Sequence, residues 1–243
     1  ILRQVSNHPN VVTLLGSEAT SERLVLIMPY LPVSLYQLIR HYKAEGMPVP
    51  EDGQVSLARS LCVGVRYLHS HQIIHRDIKP SNILLHLSPY RAVLCDFGSA
   101  VWNDSIQRNG GLSYVVSRWY RAPELLLGSS TYSYGIDIWA VGCVLAELLL
   151  LRPLIAGKNS VDQLVKIFRL LGTPSISSLQ KLNDAYPKQL ISSLPMTEPK
   201  DWSLVLPRRA APELLSSIPL ALIYDPNSRQ LPFAPSPPHS PTP

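Results

Sequence analysis

Apolar side chains recur along this chain with two different periods, and the switches between them outline its elements. Val55, Ala58, Leu61, Cys62, Val65 and Leu68 fall at three- and four-residue steps, which predicts a long helix with one buried stripe. Leu35, Leu38 and Ile39 repeat the pattern over a shorter stretch, with Ser34 positioned as its N-cap. Ile136 to Leu150 is apolar nearly all round, as a helix buried on every side must be. Val161 to Leu171 is amphipathic, with Ser160 as its expected cap and Gly172-Thr173-Pro174 as its stop. Short β-branched or aliphatic runs at Val11–Leu15, Arg23–Met28, Ile83–Leu85 and Ala92–Leu94 predict strands. Ile1 to Ser6 reads as the tail of a helix, which Asn7-His8-Pro9-Asn10 ends because proline cannot continue it. Pro29-Tyr30-Leu31-Pro32 reads as a stiff connector between the early strands and the helices that follow. Ser99 to Ser117 is polar, glycine-containing and aperiodic, which predicts a mobile loop. From Gln230 the chain turns to Pro, Ser and His without apolar period, so residues 230–243 are expected to be disordered. Strands near the start and helices after them make an α+β chain, and no internal repeat is present.

Composition narrows the classes. A chain of 243 residues, 46% apolar and 16% charged, has an ordinary globular balance. Its net charge of +5 suits an acidic or phosphorylated substrate. No basic stripe with interleaved aromatics appears, so no nucleic-acid partner is expected. Three cysteines, Cys62, Cys95 and Cys143, are too few and too uneven for a disulfide scaffold and fit a reducing cytoplasmic or nuclear compartment. The most apolar stretch, Ile138 to Leu151, carries Glu147 and is followed by Arg152; it is too short to span a bilayer, so no membrane role is expected. No signal peptide opens the chain. The first residue is Ile1 rather than Met, from which a longer product is expected.

The chemistry concentrates in His75-Arg76-Asp77-Ile78-Lys79-Pro80-Ser81-Asn82, followed by Asp96-Phe97-Gly98 and Ala122-Pro123-Glu124. Asp77 can accept a proton, and Lys79, two residues on, can hold a phosphate. Asn82 and Asp96 supply hard oxygen ligands of the kind Mg²⁺ prefers. Alone, Asp-Phe-Gly is usually a turn and His-Arg-Asp a surface charge cluster. In this order and spacing the three together form a kit for phosphoryl transfer, where catalysis is mostly positioning and charge neutralisation. His8, His41, His69, His71 and His86 show no metal spacing.

On these motifs the chain resembles a eukaryotic protein kinase. Ser34–Tyr42, Leu94–Ala100, Ser113–Leu127, Cys143–Leu149 and Val161–Pro174 make it most similar to the CMGC group, and within it to the glycogen synthase kinase 3 (shaggy) branch. The resemblance covers residues 1 to about 229. It implies a protein-kinase-like fold, mostly the helical large lobe with a remnant of the small β lobe. Residues 1–28 would be that remnant, 29–33 the hinge, 34–229 the large catalytic lobe and 230–243 a proline-rich tail. The family's glycine-rich loop, phosphate-binding Lys and partner Glu would lie before Ile1, so the given chain is expected to be N-terminally truncated and weak on its own. The alternative is a kinase-like binding or scaffold module without turnover.

The resemblance also implies roles. Asp77 would orient the substrate hydroxyl, Lys79 would contact the transferred phosphate as in serine/threonine kinases, and Ser117 would bridge the two. Asn82 and Asp96 would hold Mg²⁺ beside ATP. Met28 would be the gatekeeper, Leu84 the floor under adenine, and Cys95 the back of the nucleotide site, with simple core packing as the competing account of Met28 and Cys95. Adenine would meet the Pro29 C=O and the Leu31 N–H, both of which survive here. Tyr114 would be the activation-loop phosphotyrosine, held by Arg118 and Arg121, against the alternative of a packed ring. Glu124 would pair with Arg229 inside the protein. Arg76 would be one of three basic residues gripping a priming phosphate, with Val101 standing where another is expected; this implies weak priming and a shift toward Ser/Thr-Pro sites. Val161 to Tyr186 would dock a scaffold helix, against a purely structural role. Pro219, where a helix interior is expected, implies a kink, because proline there costs about 3 kcal/mol.

Overall fold

A computed structural model describes residues 1–112, 117–182 and 196–233. The chain opens with a short helix, α1 (Leu2–Val5), which ends at the predicted breaker. Two antiparallel strands follow, β1 (Gly16–Ala19) and β2 (Leu24–Ile27), paired from Gly16–Ile27 to Ala19–Leu24. The first strand expected at Val11–Leu15 therefore lies later. Val11 makes a single parallel bridge to Leu94, Leu94 N–H donates to Asn10 C=O and Val12 N–H to Leu94 C=O, while Leu15 N–H already donates to Ile27 C=O of β2. These bonds commit residues 10–12 to the strand that ends at Leu94, which leaves the later residues to form the β1–β2 ribbon.

The connector after β2 carries no regular structure until β3 (Val33–Ser34). Helix α2 (Leu35–Glu45) starts at Ser34 through a capping box, in which Ser34 Oγ accepts from Gln37 N–H and Gln37 Oε1 accepts from Ser34 N–H. Gly46 closes it with a left-handed φ of 65°. Helix α3 (Glu51–Ser70) buries Leu57, Ala58, Leu61, Cys62, Val65 and Leu68, the predicted stripe. A side chain at Gly64 would put Cβ 2.8 Å from the Asn10 carbonyl oxygen, so glycine is what lets α3 lie against the 10–12 segment.

Strands β5 (Ile83–Leu87) and β6 (Tyr90–Leu94) form a hairpin in register Ile83–Leu94 to Leu87–Tyr90, and β3 adds to its other edge. Strand β4 (Ile73–Ile74) pairs with β7 (Val101–Trp102). The region expected as an unstructured loop from Ser99 to Ser117 thus begins with β7 and helix α4 (Asn103–Asn109). Short polar helices such as α4 carry little apolar period, so they are hard to read from sequence. Helix α5 (Pro123–Leu126) precedes α6 (Gly135–Leu150), whose residues from Gly135 to Leu149 are buried except Ile138. That helix is the centre of the hydrophobic core, with α3 on one side and α10 (Pro212–Ala221) on another.

Helix α7 (Ser160–Leu171) is capped by Asn159, whose Oδ1 accepts from Asp162 N–H, rather than by Ser160. Ser160 is already helical, one residue too far along to cap. Helices α8 (Ile176–Leu182) and α9 (Trp202–Val205) complete the lobe. Pro219 sits inside α10, which ends two residues later at Ala221, so the lost N–H falls in the last turn. Residues 230–233 of the expected disordered tail continue the packed chain. Gln230 N–H donates to Leu220 C=O, Arg66 Nη2 to Phe233 C=O, and the Arg59 guanidinium stacks on the Phe233 ring. Residues 234–243 lie outside the described part.

Candidate active site

The catalytic stretch hangs from one buried carboxylate. Asp137, in the first turn of α6, accepts from His75 N–H at 2.8 Å, Arg76 N–H at 3.0 Å and lies 3.0 Å from His69 Nε2. Burial alone would raise its carboxyl, but the hydrogen bond and charge of His69, with His75, bring it below the usual carboxylate range. These contacts hold Arg76 at φ +66°, a left-handed conformation that costs a non-glycine residue about 1–2 kcal/mol. Asp137 was not singled out from sequence, although a carboxylate at the start of an all-apolar helix is the signal that marks it.

His75 is fully buried, and that burial lowers its pKa, so the ring is neutral. Its Nε2 is 3.1 Å from the Cys95 carbonyl oxygen and must carry the proton, leaving Nδ1 to accept from Asp77 N–H at 3.3 Å. Its ring meets Phe97 edge-on, 5.0 Å between centroids. One histidine thus ties the His-Arg-Asp stretch to the Asp-Phe-Gly stretch.

The reactive side chains converge beside it. Lys79 Nζ lies 2.7 Å from Asp77 Oδ2 and donates to Ser117 Oγ at 3.2 Å, and Ser117 Oγ donates to Asp77 Oδ1 at 3.1 Å. Asn82 Nδ2 donates to Asp77 Oδ2 at 2.9 Å and reaches Asp96 Oδ2 at 3.4 Å. Asp96, at φ +60°, accepts from Gly98 N–H through Oδ1, and Cys95 N–H donates to Asn82 C=O. The structure therefore brings Asp77, Lys79, Asn82, Asp96 and Ser117, from three separate segments of the chain, into one network.

Above this network opens a cleft of about 650 Å³, walled by Val12, Leu26, Met28, Pro29, Leu84 and Cys95 with Asp96 at its inner end. Leu31 is not among its wall residues. Burial, then the Asp96 charge, pushes the Cys95 thiol up to about 11, so it is protonated at neutral pH.

The remaining predicted residues lie along the segment that follows. Arg76 Nε donates to Ser99 C=O at 2.6 Å and Nη1 to the Tyr132 hydroxyl at 2.9 Å; that hydroxyl donates to Leu112 C=O. Tyr132 was also missed, because only the fold brings it to Arg76. Val101 is half-buried and paired with Ile74. Arg118 Nη1 donates to Lys158 C=O, while its buried Nε has no hydrogen-bond partner among the described residues. Arg121 is buried. Tyr114 lies outside the described residues. Glu124 and Arg229 form a two-pronged pair at 2.6 and 2.7 Å inside the protein.

Helices, small antiparallel sheets, a cleft with Asp96 in its wall and a carboxylate–lysine pair joined to Asp96 through Asn82 make an arrangement suited to phosphoryl transfer. The protein kinase domain model matches residues 1–229, and the chain belongs to that family. Membership carries with it phosphoryl transfer to protein substrates with use of ATP. Among the described residues no helix is long and apolar enough to cross a membrane.

Proposed function

We propose that the protein is a serine/threonine kinase of the CMGC group, nearest the glycogen synthase kinase 3 branch, which transfers the γ-phosphate of ATP. The observation that carries this reading is Lys79 held between Asp77 and Ser117. A substrate hydroxyl approaching Asp77 finds a carboxylate for its proton and an ammonium for the phosphate it receives. The apolar cleft, with Pro29 in its wall, fits adenine; the Pro29 C=O and Leu31 N–H are the edge partners the family resemblance implies. Residues 1–28 then belong to the small lobe, 29–33 to the hinge and 34–229 to the large lobe, in a cytoplasmic or nuclear protein.

The donor set fits Mg²⁺. Asn82 turns its Nδ2 toward Asp77 and Asp96 and has its amide oxygen as a donor, and Asp96 supplies a carboxylate. Two protein oxygens suffice for Mg²⁺, which takes the rest of its shell from phosphates and water. Bound there, the ion would neutralise phosphate charge. The chain's own residues do the rest: Asn82 fixes Asp77, and Asp77 fixes Lys79.

Regulation and specificity extend the same reading. Arg118 Nε, without a hydrogen-bond partner among the described residues, supports an anion site at this arginine, of the kind a phosphotyrosine at Tyr114 would fill. Val161 is 49% exposed on α7, which supports a scaffold-helix surface over Val161–Tyr186; of that span, 183–186 lie outside the described residues. Val101 offers no charge where the branch uses one to grip a priming phosphate. Losing one of three charge-assisted contacts removes about 1.5–3 kcal/mol, a tenfold or greater loss of preference. Weak priming and selection of Ser/Thr-Pro sites follow. The test is turnover of the full-length protein on paired Ser, Thr and Tyr peptides, with and without a priming phosphate. Transfer to Tyr alone would overturn the class, and more than hundredfold preference for primed peptides would overturn the specificity.

A further inference from the structure

A second hollow, of about 570 Å³, opens on the large lobe away from the nucleotide cleft, between the end of α6, α7 and α9. Its floor is aliphatic, including Leu150, Leu154 and Leu170, and Leu204 stands at its edge 80% exposed. Its rim is basic. Arg152, Arg169 and Lys200 are exposed, and none has a carboxylate partner among the described residues. The fourth cation, Lys166, is turned away to Asp162 Oδ2 at 2.9 Å and Ala156 C=O at 2.5 Å. Among the described residues that line the hollow the acid is Asp201, a helix cap whose Oδ1 accepts from Ser203 N–H.

We propose that this groove docks an acidic segment of the protein substrate that carries an aliphatic side chain. Around this apolar hollow the three cations outnumber the Asp201 carboxylate, so the rim keeps a net positive charge that steers an anionic partner toward it. The backbone under them is fixed. Lys200 N–H donates to Leu170 C=O, and Pro199 bridges Leu171, so the cations sit on an anchored edge of α7. The groove also adjoins the reaction site. Lys166 holds Ala156, and the next two residues accept from the segment beside Ser117: Gly157 C=O from Trp119 Nε1 and Lys158 C=O from Arg118 Nη1. A segment seated in the groove therefore lies one short loop from the residues that follow Ser117. The substrate assignment rests on the kinase reading above, whereas the binding itself does not.

The test uses the full-length protein and two probes. A fluorescent peptide with Asp and Glu flanking one Leu should bind saturably by anisotropy, and more weakly as salt rises. Arg169→Glu with Lys200→Glu should weaken it at least tenfold. Arg169→Gln with Lys200→Gln, which adds no repulsion at the end of α7, should weaken it in the same direction. Attached as a tail to a substrate peptide, the segment should lower KM with kcat unchanged. That advantage should vanish in the variants, while KM for the untailed peptide stays put. Equal binding of a tail with Gln in place of its acids would overturn the proposal, as would variants that bind like the parent. The expected anisotropy pattern without turnover would support the groove and count against the catalytic reading instead.

Discussion

Two carboxylate–cation pairs in this molecule share one chemistry and opposite settings. Asp77 and Lys79 meet at 2.7 Å with side chains 16% and 25% exposed. Glu124 and Arg229 meet at 2.6 Å with side chains 3% and 0% exposed. The open pair shares its partners with Ser117 and Asn82 and can trade water for substrate. The sealed pair is saturated: Arg229 also donates to Gly135, Tyr224 and Ile223 carbonyls and lies over the Trp139 ring. Exchange requires exposure, and fixed packing requires its absence, so the proposed function gives one pair to the reaction and the other to the fold.

The largest test of that division is Asp77→Asn. Asn keeps the shape and its contacts to Asn82 but cannot take a proton or carry charge. Turnover should fall about 10³-fold, within the range general-base loss produces, while thermal unfolding stays within a few degrees. Near-parental activity would remove Asp77 from the reaction.

Arg229→Ala should act on the other side of the comparison. It strands the Glu124 carboxylate and three carbonyls in the interior, and breaking a buried pair costs about 3–5 kcal/mol. For a chain of this size that lowers Tm by on the order of 10 °C. At low temperature the folded fraction should retain its KM values. If KM rose with stability intact, the sealed pair would have to be reassigned to the site.

The two pairs were not equally legible. Asp77, Lys79, Asn82 and Asp96 declare themselves by motif spacing, since phosphoryl transfer constrains residue types along a short loop. Ser117 and Arg229 followed from the family resemblance. Asp137, His69 and Tyr132 depend on contacts across long sequence separations, which no local pattern records. The large helices α3, α6 and α7 were legible because burial imprints a period on them. Strand β1 and helix α4 were not, being short and largely polar, and fixed by what packs beside them rather than by their own sequence.

A smaller effect separates sealed titratable groups from open ones. His75 has a pKa lowered by burial, so the folded state binds its proton less readily than the unfolded chain. Above pH ~6.5 both states are neutral and its contribution to stability is complete. Below that the unfolded chain protonates first, and stability should fall toward the lowered folded pKa by at most about 1.4 kcal/mol per pH unit. Urea titrations from pH 5 to 8 should show this slope, and His75→Gln, which keeps a donor for the Cys95 carbonyl, should flatten it. An unchanged slope would assign the dependence to His8, whose pKa burial also lowers.

The smallest effect is expected where the open pair meets the segment after it. Ser117 Oγ donates to Asp77 and accepts from Lys79, so it fixes their relative orientation without supplying charge. Ser117→Ala removes a hydrogen bond to charged partners, worth about 1.5–3 kcal/mol when nothing replaces it. Here both partners are partly exposed, so water can take over most of the hydroxyl's role. Asp77 and Lys79 also retain their direct contact and the Asn82 bond. The variant should therefore lose about threefold to tenfold in kcat, with KM for ATP and Tm unchanged. Ser117→Thr, which keeps the hydroxyl, should recover most of it. A loss as large as that of Asp77→Asn would mean that the hydroxyl touches the reacting groups themselves. No loss at all would mean that Asn82 alone sets the orientation of Asp77.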